Sequence, residues 1–237
     1  MKTLTDYKEF FQKNRYVIID DFLPEDDADT LYDYFSSKTS LWWDNCIYPD
    51  QDIEFPDYQL GLYKDDDSQL LSKREWLKNE LDKHELVFTY RYKRKGFFEH
   101  HHNEPWHSKD DTHSLLYQFN ENSLKQSLSY ITGYDDLNLQ TLFCSCYEDG
   151  DYNAIHKDSA DGRRLAYVYH LTKEWQFMYG GLYMSYNPGQ TQVKDVLIPR
   201  FNKMAIFDVV GDKTPHSVTQ VANGVTNKRI ALTGWYE

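Results

Sequence analysis

The chain has 237 residues, 40% of them hydrophobic, and a formal net charge of −12. This length suits one or two domains, and the apolar content is sufficient for a buried core, which excludes a disordered chain. The negative charge disfavours non-specific binding to nucleic acid, because such binding depends on a basic surface. No run approaches the roughly 18 consecutive apolar residues of a membrane span, and the start MKTLTDYKEF lacks the apolar segment of a signal peptide.

The three cysteines are Cys46, Cys144 and Cys146, and a single residue separates the last two. An odd number at this spacing does not suit a disulfide framework, so we expect a cytoplasmic protein. Because no apolar run is long enough to span a bilayer, we also expect no attachment to a membrane. A thiolate metal site would need more soft ligands than these three residues offer.

The N-terminal half of the chain, residues 1–136, has the pattern of helices joined by loops and a few strands. Apolar periodicity predicts helices over residues 3–13, 24–35, 73–83 and 122–132. Runs of β-branched and aromatic residues predict strands over 16–19 and 85–94. Residues 41–70 show no clear period, which indicates loops with short strands.

Two polar segments in this half allow more than one interpretation. Residues 91–95 (RYKRK) are either a charged strand edge that discourages aggregation or a contact strip for an anionic or nucleic-acid-associated partner. The triplet at 100–102, with His107 and His113, is a histidine-rich segment. Three adjacent histidines cannot all face one ion in regular structure, so a flexible lid is the favoured interpretation of this segment and a metal site is the alternative.

From Leu137 onward the pattern is all-β, with short aromatic and β-branched runs separated by turns that contain glycine. The predicted strands cover residues 139–147, 153–158, 164–171, 181–186, 193–198, 203–210, 216–221 and 228–236. Short strands at this spacing favour a double-stranded β-helix, or jelly roll. We therefore expect one domain over 1–237, mainly β with flanking helices, in which an α-rich N-terminal half over residues 1–136 supports a jelly-roll core over residues 137–237.

The strongest functional pattern is His156-Lys157-Asp158 followed by the distant His216. If residues 154–158 are extended, His156 and Asp158 point to one face, because side chains alternate along a strand. The third ligand of an octahedral metal must then come from another strand. Two histidines and one carboxylate form the facial triad of non-haem Fe(II) oxygenases, which leaves open positions for a co-substrate and O2. Taken singly, each residue could be an ordinary polar group, with Asp158 capping a turn.

Arg229 begins a predicted strand and shares one face of it with Ala231, Thr233 and Trp235. An arginine that faces the inside of a barrel needs an anionic partner, because burying a lone guanidinium is costly. The distal carboxylate of 2-oxoglutarate would be such a partner and would bind in a bidentate manner. The alternative is a surface salt bridge.

Three further residues are candidates for contact with the co-substrate. Tyr147 could donate a hydroxyl hydrogen bond to it, or could be a core tyrosine in a chain that contains 20 tyrosines. Tyr169 and His170, at the end of a predicted strand, could reach the co-substrate or simply pack.

These residues belong to a series of motifs that extends through the second half of the chain. The series comprises Tyr147-Glu-Asp-Gly-Asp, His156-Lys-Asp158, Gly162-Arg-Arg-Leu-Ala, Leu171-Thr-Lys-Glu-Trp175, Gly180-Gly181, Pro199-Arg-Phe-Asn-Lys203, His216-Ser-Val and Arg229-Ile-Ala-Leu-Thr-Gly-Trp235. It resembles the prolyl-4-hydroxylase-type Fe(II)/2-oxoglutarate dioxygenases, in particular the catalytic domain of ribosomal-protein prolyl hydroxylases. The resemblance covers most of residues 16–36 and 122–237.

The resemblance implies that His156, Asp158 and His216 bind Fe(II) and that Arg229 and Tyr147 bind 2-oxoglutarate. One departure is that some prolyl hydroxylases have a co-substrate-binding tyrosine where this chain has His170.

The activity implied is hydroxylation of an unactivated C–H bond by O2, most often on a prolyl residue of a protein or peptide. Succinate and CO2 are released, and ascorbate can serve as reductant. The alternatives are a hydroxylase of a free amino acid or small metabolite and, from another class, a non-catalytic metal-binding jelly-roll module or sensor. No pattern in the sequence indicates an oligomeric state.

Overall fold

The computed structural model describes residues 3–48, 62–63, 89–99, 112–159, 162–212 and 214–237. The helix predicted over 73–83 and the histidines at 100–102 and 107 lie outside the described residues, and so does the side chain of His113. Within the described residues, no helix is long and apolar enough to cross a membrane.

The structure describes four α-helices, and all except α3 form where the apolar periodicity predicts them. They are α1 Leu4–Asn14, α2 Glu25–Ser36, α3 Thr112–Tyr117 and α4 Asn122–Thr132. Thr3 and Asp6 close a reciprocal capping box at the start of α1, and Gly133 ends α4 in the left-handed conformation with φ 78°. The predictions over 3–13, 24–35 and 122–132 are thus confirmed to within one residue at each end.

The strands follow the predicted all-β pattern. They are β1 Tyr16–Asp20, β2 Asp44–Tyr48, β3 Leu62–Tyr63, β4 Tyr90–Glu99, β5 Leu139–Tyr147, β6 Tyr152–His156, β7 Leu165–His170, β8 Tyr183–Tyr186, β9 Val193–Leu197, β10 Lys203–Asp208, β11 His216–Val218 and β12 Arg229–Tyr236. Each strand predicted from residue 139 onward is present, with ends that differ by three residues or fewer.

All the described strand pairs are antiparallel, and ten of the strands follow the order β1-β10-β7-β12-β5-β4-β6-β11-β8-β9. β2 branches from this path by pairing with β4, and β3 pairs with β2. β4 pairs with β5 along most of its length and with β6 at its first residues, so it joins the two halves of the sheet. The sheet curls until its halves face each other, and the ring of Tyr183 on β8 lies 5.5 Å from that of Phe207 on β10. This arrangement confirms the predicted jelly roll with flanking helices.

Strand alternation separates a helix-facing side of the sheet from an inner side. On β12, Ile230 and Leu232 belong to the large apolar cluster that also contains helical residues such as Leu31 and Leu128. Trp235, on the other face of the strand, packs with a small inner cluster. The predicted division of β12 into an aliphatic outer face and an inner face is therefore confirmed.

Asn202 joins the entry of α2 to the sheet. Its Oδ1 accepts hydrogen bonds from the backbone N–H of Leu23 at 3.0 Å and from the Tyr169 hydroxyl at 2.8 Å, and its Nδ2 donates to the Leu23 carbonyl at 2.8 Å. Asn202 is buried and has a left-handed φ of 56°, a conformation that asparagine tolerates better than most residues. One side chain thus satisfies several buried polar groups.

We expect Asn202→Ala to reduce the free energy of unfolding by about 2–4 kcal/mol, because several buried hydrogen bonds are lost together. Asn202→Gly loses the same bonds but adopts a positive φ freely. Urea unfolding followed by circular dichroism measures both variants. Wild-type stability in the glycine variant would show that backbone strain, and not the hydrogen bonds, accounts for the loss.

Candidate functional site

His156, Asp158 and His216 converge at one point between the two halves of the sheet. His216 begins β11 directly opposite His156 at the end of β6. Asp158 Oδ1 lies 3.6 Å from His156 Nε2, and Asp158 Oδ2 lies 3.4 Å from His216 Nε2. Over the described ranges this is the one group of three or more metal-ligating side chains whose ligand atoms all lie within 4.8 Å. β6 ends at His156, earlier than predicted, so Asp158 extends from the following loop and not from the strand.

Both imidazoles are oriented by the backbone. His156 Nδ1 lies 2.9 Å from the Ala154 carbonyl, and His216 Nδ1 lies 2.9 Å from the Thr214 carbonyl. A carbonyl can only accept, so each Nδ1 donates to it, and the lone pair of the neutral imidazole is on Nε2, the ring nitrogen nearest Asp158. This is the arrangement in which the backbone sets the tautomer of a metal-binding histidine.

Asp158 and His156 favour the protonation states that a metal requires, whereas His216 favours its protonated form until a metal replaces the proton. Burial opposes ionisation of Asp158, but the neighbouring His216 and His156 outweigh it and hold the pKa of the carboxyl well below its usual range. Burial and repulsion by His216 lower the pKa of His156 to about 4. Burial lowers the pKa of His216 as well, but attraction to Asp158 outweighs it, and the net shift is upward. At neutral pH the group therefore has an ionised carboxylate and a neutral His156.

Arg229 is buried beside the triad, with 2% of its surface exposed. It begins β12 opposite Tyr147 of β5, and its guanidinium carbon lies 4.8 Å from the centre of the Tyr147 ring. Tyr147 in turn stacks on Tyr92 at 4.9 Å. Arg229 Nε has no hydrogen-bond partner among the residues that the structure describes. A buried cation in this condition indicates a site for an anion.

His170 lies on the inner face of β7, opposite Ala231 of β12. Burial, together with repulsion by Arg229, lowers the pKa of His170 well below its usual value, so its ring is neutral. Its Nδ1 is buried and, in the described portion of the chain, has no hydrogen-bond partner. His170 therefore adds a second unsatisfied polar atom near Arg229.

Tyr169 points to the opposite side of β7. Its ring packs against Phe22 at 5.3 Å and Phe119 at 5.9 Å, and its hydroxyl donates to Asn202. Consecutive residues of a strand face opposite sides, so Tyr169 and His170 cannot both face the cavity. This placement corrects the expectation that Tyr169 contacts the co-substrate, and supports the alternative that it packs in the core.

A cavity of about 610 Å³ opens above the triad. Its lining includes the triad, Arg229 and Tyr147, together with Tyr92, Arg94, Phe143, Asn153, Arg163, Tyr183, Phe207 and Trp235. The volume is within the range of small-molecule and cofactor sites in proteins.

The basic run at 91–95 belongs to this wall and does not form a free edge. β4 pairs with β2 on one side and with β5 and β6 on the other, so the interpretation as a strand edge is wrong. Ion pairs join alternate residues of the run to acidic groups: Arg91 to Asp151 at 2.9 Å, Lys93 to Glu148 at 2.6 Å and Lys95 to Asp44 at 3.6 Å. This pairing also weakens the interpretation as a strip for an external anionic partner.

Gly181 and Asn153 also belong to the site. From the sequence, the Gly180-Gly181 pair is interpreted as a close backbone approach beside the site or as a bulge, whereas Asn153 is not predicted. A Cβ at Gly181 would lie 3.1 Å from Arg229 Cδ and 3.1 Å from the Trp175 ring, so the missing side chain makes room for Arg229. The Gly180-Gly181 pair was the available sequence signal for this contact. Asn153 precedes His156 by an odd number of residues, and regular alternation would place it on the other face of β6.

Fe(II) fits this donor set, because two imidazoles and one carboxylate on adjacent positions are the ligands that non-haem iron oxygenases use. A dicarboxylic co-substrate fits the buried, unsatisfied Arg229 Nε and His170 Nδ1.

The second half of the chain also matches a known family by sequence. Residues 142–237 match the sequence model of the 2OG-Fe(II) oxygenase superfamily. Over 197 residues the chain is 26% identical to the prolyl 3-hydroxylase OGFOD1 of Mus musculus, which covers 81% of this chain and 32% of that protein. Over 136 residues it is 30% identical to the prolyl 3-hydroxylase OGFOD1 of Xenopus laevis, and the match covers 55% of this chain and 25% of that protein. The chain thus spans about a third or less of the length of these curated relatives.

Solved structures show the same fold at low sequence identity. A prolyl-4-hydroxylase from Pseudomonas putida superposes with a TM-score of 0.62 at 14% identity, with 100% of this chain and 99% of that one covered. A prolyl hydroxylase from Trichoplax adhaerens, solved with a hypoxia inducible factor peptide, gives a TM-score of 0.61 at 15% identity, with 100% and 93% covered. The segment matched by the sequence model, residues 142–237, contains His156, Asp158, His216 and Arg229.

Proposed function

We propose that this domain is an Fe(II)- and 2-oxoglutarate-dependent dioxygenase that hydroxylates a prolyl residue of a protein or peptide. The observation that carries the proposal is the convergence of His156, Asp158 and His216 beside the buried guanidinium of Arg229. The prolyl substrate is supported by the relatives, which are named prolyl 3-hydroxylases in mouse, frog and fly. A peptide is further supported by the structural neighbour solved with one.

His156 and His216 would hold Fe(II) through Nε2, and Asp158 through its carboxylate. The backbone carbonyls that accept from each Nδ1 keep both rings aimed before the metal arrives, so little reorganisation opposes binding. The chemistry that Fe(II) and 2-oxoglutarate supply with O2 is oxidation of an unactivated C–H bond, with release of succinate and CO2. Ascorbate as reductant stays a prediction.

Arg229 would bind the distal carboxylate of 2-oxoglutarate, and the burial of the pair would strengthen the interaction. The neutral ring of His170 supplies a hydrogen-bonding group without adding a second buried cation. Burial raises the pKa of Tyr147, so its hydroxyl stays protonated and is able to donate while its ring packs on the guanidinium.

The proposal extends to the organisation of the chain. Residues 1–237 act as one domain, in which the N-terminal half over 1–136 supports the jelly-roll core over 137–237. The support for this is the large apolar cluster, which includes Phe11 and Leu31 of the helices and Leu232 of the sheet. A cytoplasmic location is favoured by the cysteines, which are buried as free thiols.

An anaerobic titration of the purified protein with Fe(II) and then 2-oxoglutarate tests the proposal. The visible charge-transfer band of the chelate should appear in the wild type and be lost in His156→Ala. Succinate should then form in the presence of proline-containing peptides and fall to background when the proline is replaced by alanine. Absence of the band in the wild type would reject the oxygenase assignment and favour a binding module. Turnover of free amino acids, and not peptides, would favour the metabolite alternative.

Arg229→Ala should raise the Kd for 2-oxoglutarate about a hundredfold, because a charge-assisted pair worth roughly 2–3 kcal/mol is lost. The Kd for Fe(II) should change less than threefold, since Arg229 does not belong to the triad. Lys228→Ala is the matched control: Lys228 Nζ donates to the Lys38 carbonyl at 2.8 Å, away from the cavity. If Arg229→Ala raises the Kd values for 2-oxoglutarate and Fe(II) by the same factor, this residue has a structural role and does not bind the co-substrate.

Gly181→Ala should raise the Kd for 2-oxoglutarate about tenfold, because the new Cβ would displace the side chain of Arg229. Gly224→Ala is the control: its φ is +87° and no atom lies within 4 Å of the added Cβ, whereas φ is +60° at Gly181. Both variants should lose about 1–2 kcal/mol of stability from left-handed strain. Isothermal titration calorimetry measures the Kd for 2-oxoglutarate in both variants, and similar values would contradict a positioning role for Gly181.

A further inference from the structure

Asn153 reaches the metal site because of an irregularity in β6. Val218 of β11 pairs with Asn153, and His216 pairs with His156, so three steps along β6 match two along β11. The extra residue is a β-bulge, which reverses the alternation and turns Asn153 to the same face as His156. Bulges next to active sites commonly redirect a side chain in this way.

The amide of Asn153 lies against the nitrogen that would bind the metal. Asn153 Nδ2 is 3.5 Å from His156 Nε2. His156 Nδ1 already donates to the Ala154 carbonyl, so Nε2 is the acceptor and the Asn153 amide is the donor. The other amide atom, Asn153 Oδ1, is buried and has no hydrogen-bond partner among the described residues.

Metal binding removes this hydrogen bond. Once His156 Nε2 gives its lone pair to a metal, it cannot also accept from Asn153. The amide has two N–H groups, and one of them interacts with the Tyr147 hydroxyl. The N–H that faces His156 would then lose its acceptor, at a cost of about 1–3 kcal/mol unless another acceptor takes its place. The amide lines the same cavity as Tyr147 and Arg229, where the carboxylate and keto oxygens of a 2-oxo acid would be the nearest new acceptors.

We propose that Asn153 is a positioning residue for the co-substrate, which exchanges its hydrogen bond with His156 for one to an oxygen of 2-oxoglutarate when iron binds. The inference rests on the proposed function, since it presumes the iron and 2-oxoglutarate site. It predicts that removal of the amide weakens the binding of 2-oxoglutarate but not that of the metal, because in the metal-free protein the amide competes with the metal for His156 Nε2.

The test measures each ligand separately under anaerobic conditions. Binding of Co(II), followed by its visible absorption, should be unchanged or up to threefold tighter in Asn153→Ala. The Kd for 2-oxoglutarate in the Fe(II)-loaded protein should rise about tenfold, and the charge-transfer band should shift to shorter wavelength because a donor to the chelate is lost. Asn153→Asp should bind 2-oxoglutarate more weakly still, since it places a second negative charge beside the carboxylate.

Tyr152→Phe is the control for general disturbance of β6, because it removes a neighbouring hydrogen bond from the Tyr152 hydroxyl to Thr89 Oγ1 at 2.9 Å. It should leave both Kd values and the band unchanged. If Asn153→Ala and Asn153→Asp both bind Co(II) and 2-oxoglutarate more weakly to the same degree, Asn153 has only a structural role and the inference is overturned. Unchanged 2-oxoglutarate binding and an unshifted band in Asn153→Ala would overturn it too. A wild-type protein without the band would instead reject the function on which it rests.

Discussion

The antiparallel pairing of β6 with β11 is the interaction on which the site depends. It places His216 opposite His156, and no short-range feature of the chain could bring two residues so far apart in sequence to a ring separation of 4.2 Å. The backbone fixes the rings as well as their positions, because each Nδ1 donates to a carbonyl two residues earlier in the chain. The loop after β6 then needs to add only one carboxylate.

A second pairing, of β12 with β5, sets the other end of the site. Arg229 lies opposite Tyr147, and its side chain packs between the tyrosine ring and the backbone of Gly181. A guanidinium is costly to bury, and the fold offers it an aromatic face and close packing but leaves Nε unsatisfied. Such a residue destabilises the ligand-free protein and stabilises the complex with an anion, which is typical of a binding site.

Much of the site could be predicted from sequence because it depends on local rules. The inward orientation of Arg229 follows from strand alternation. The same rule places His170 and Tyr169 on opposite faces of β7, and it assigns Tyr169 to the core once the inner face of that strand is known. Asn153 could not be found in this way, since the bulge that redirects it is a mismatch between two strands and leaves no mark in either one alone. The position of β4 between other strands was missed for a similar reason: a charged strand resembles an edge until its partners are known.

The role of β4 as the strand shared by both halves of the sheet has a geometric consequence. The two histidines of the triad are carried by β6 and β11, Arg229 by β12, and the hydrogen-bonded path between them runs through β5 and β4. Adjacent strands are held at a spacing of about 4.8 Å that side-chain motion does not alter. The separation between the Cα atoms of His156 and Arg229 is therefore a property of the backbone, and it would limit the length of a 2-oxo acid that could reach both the metal and the guanidinium.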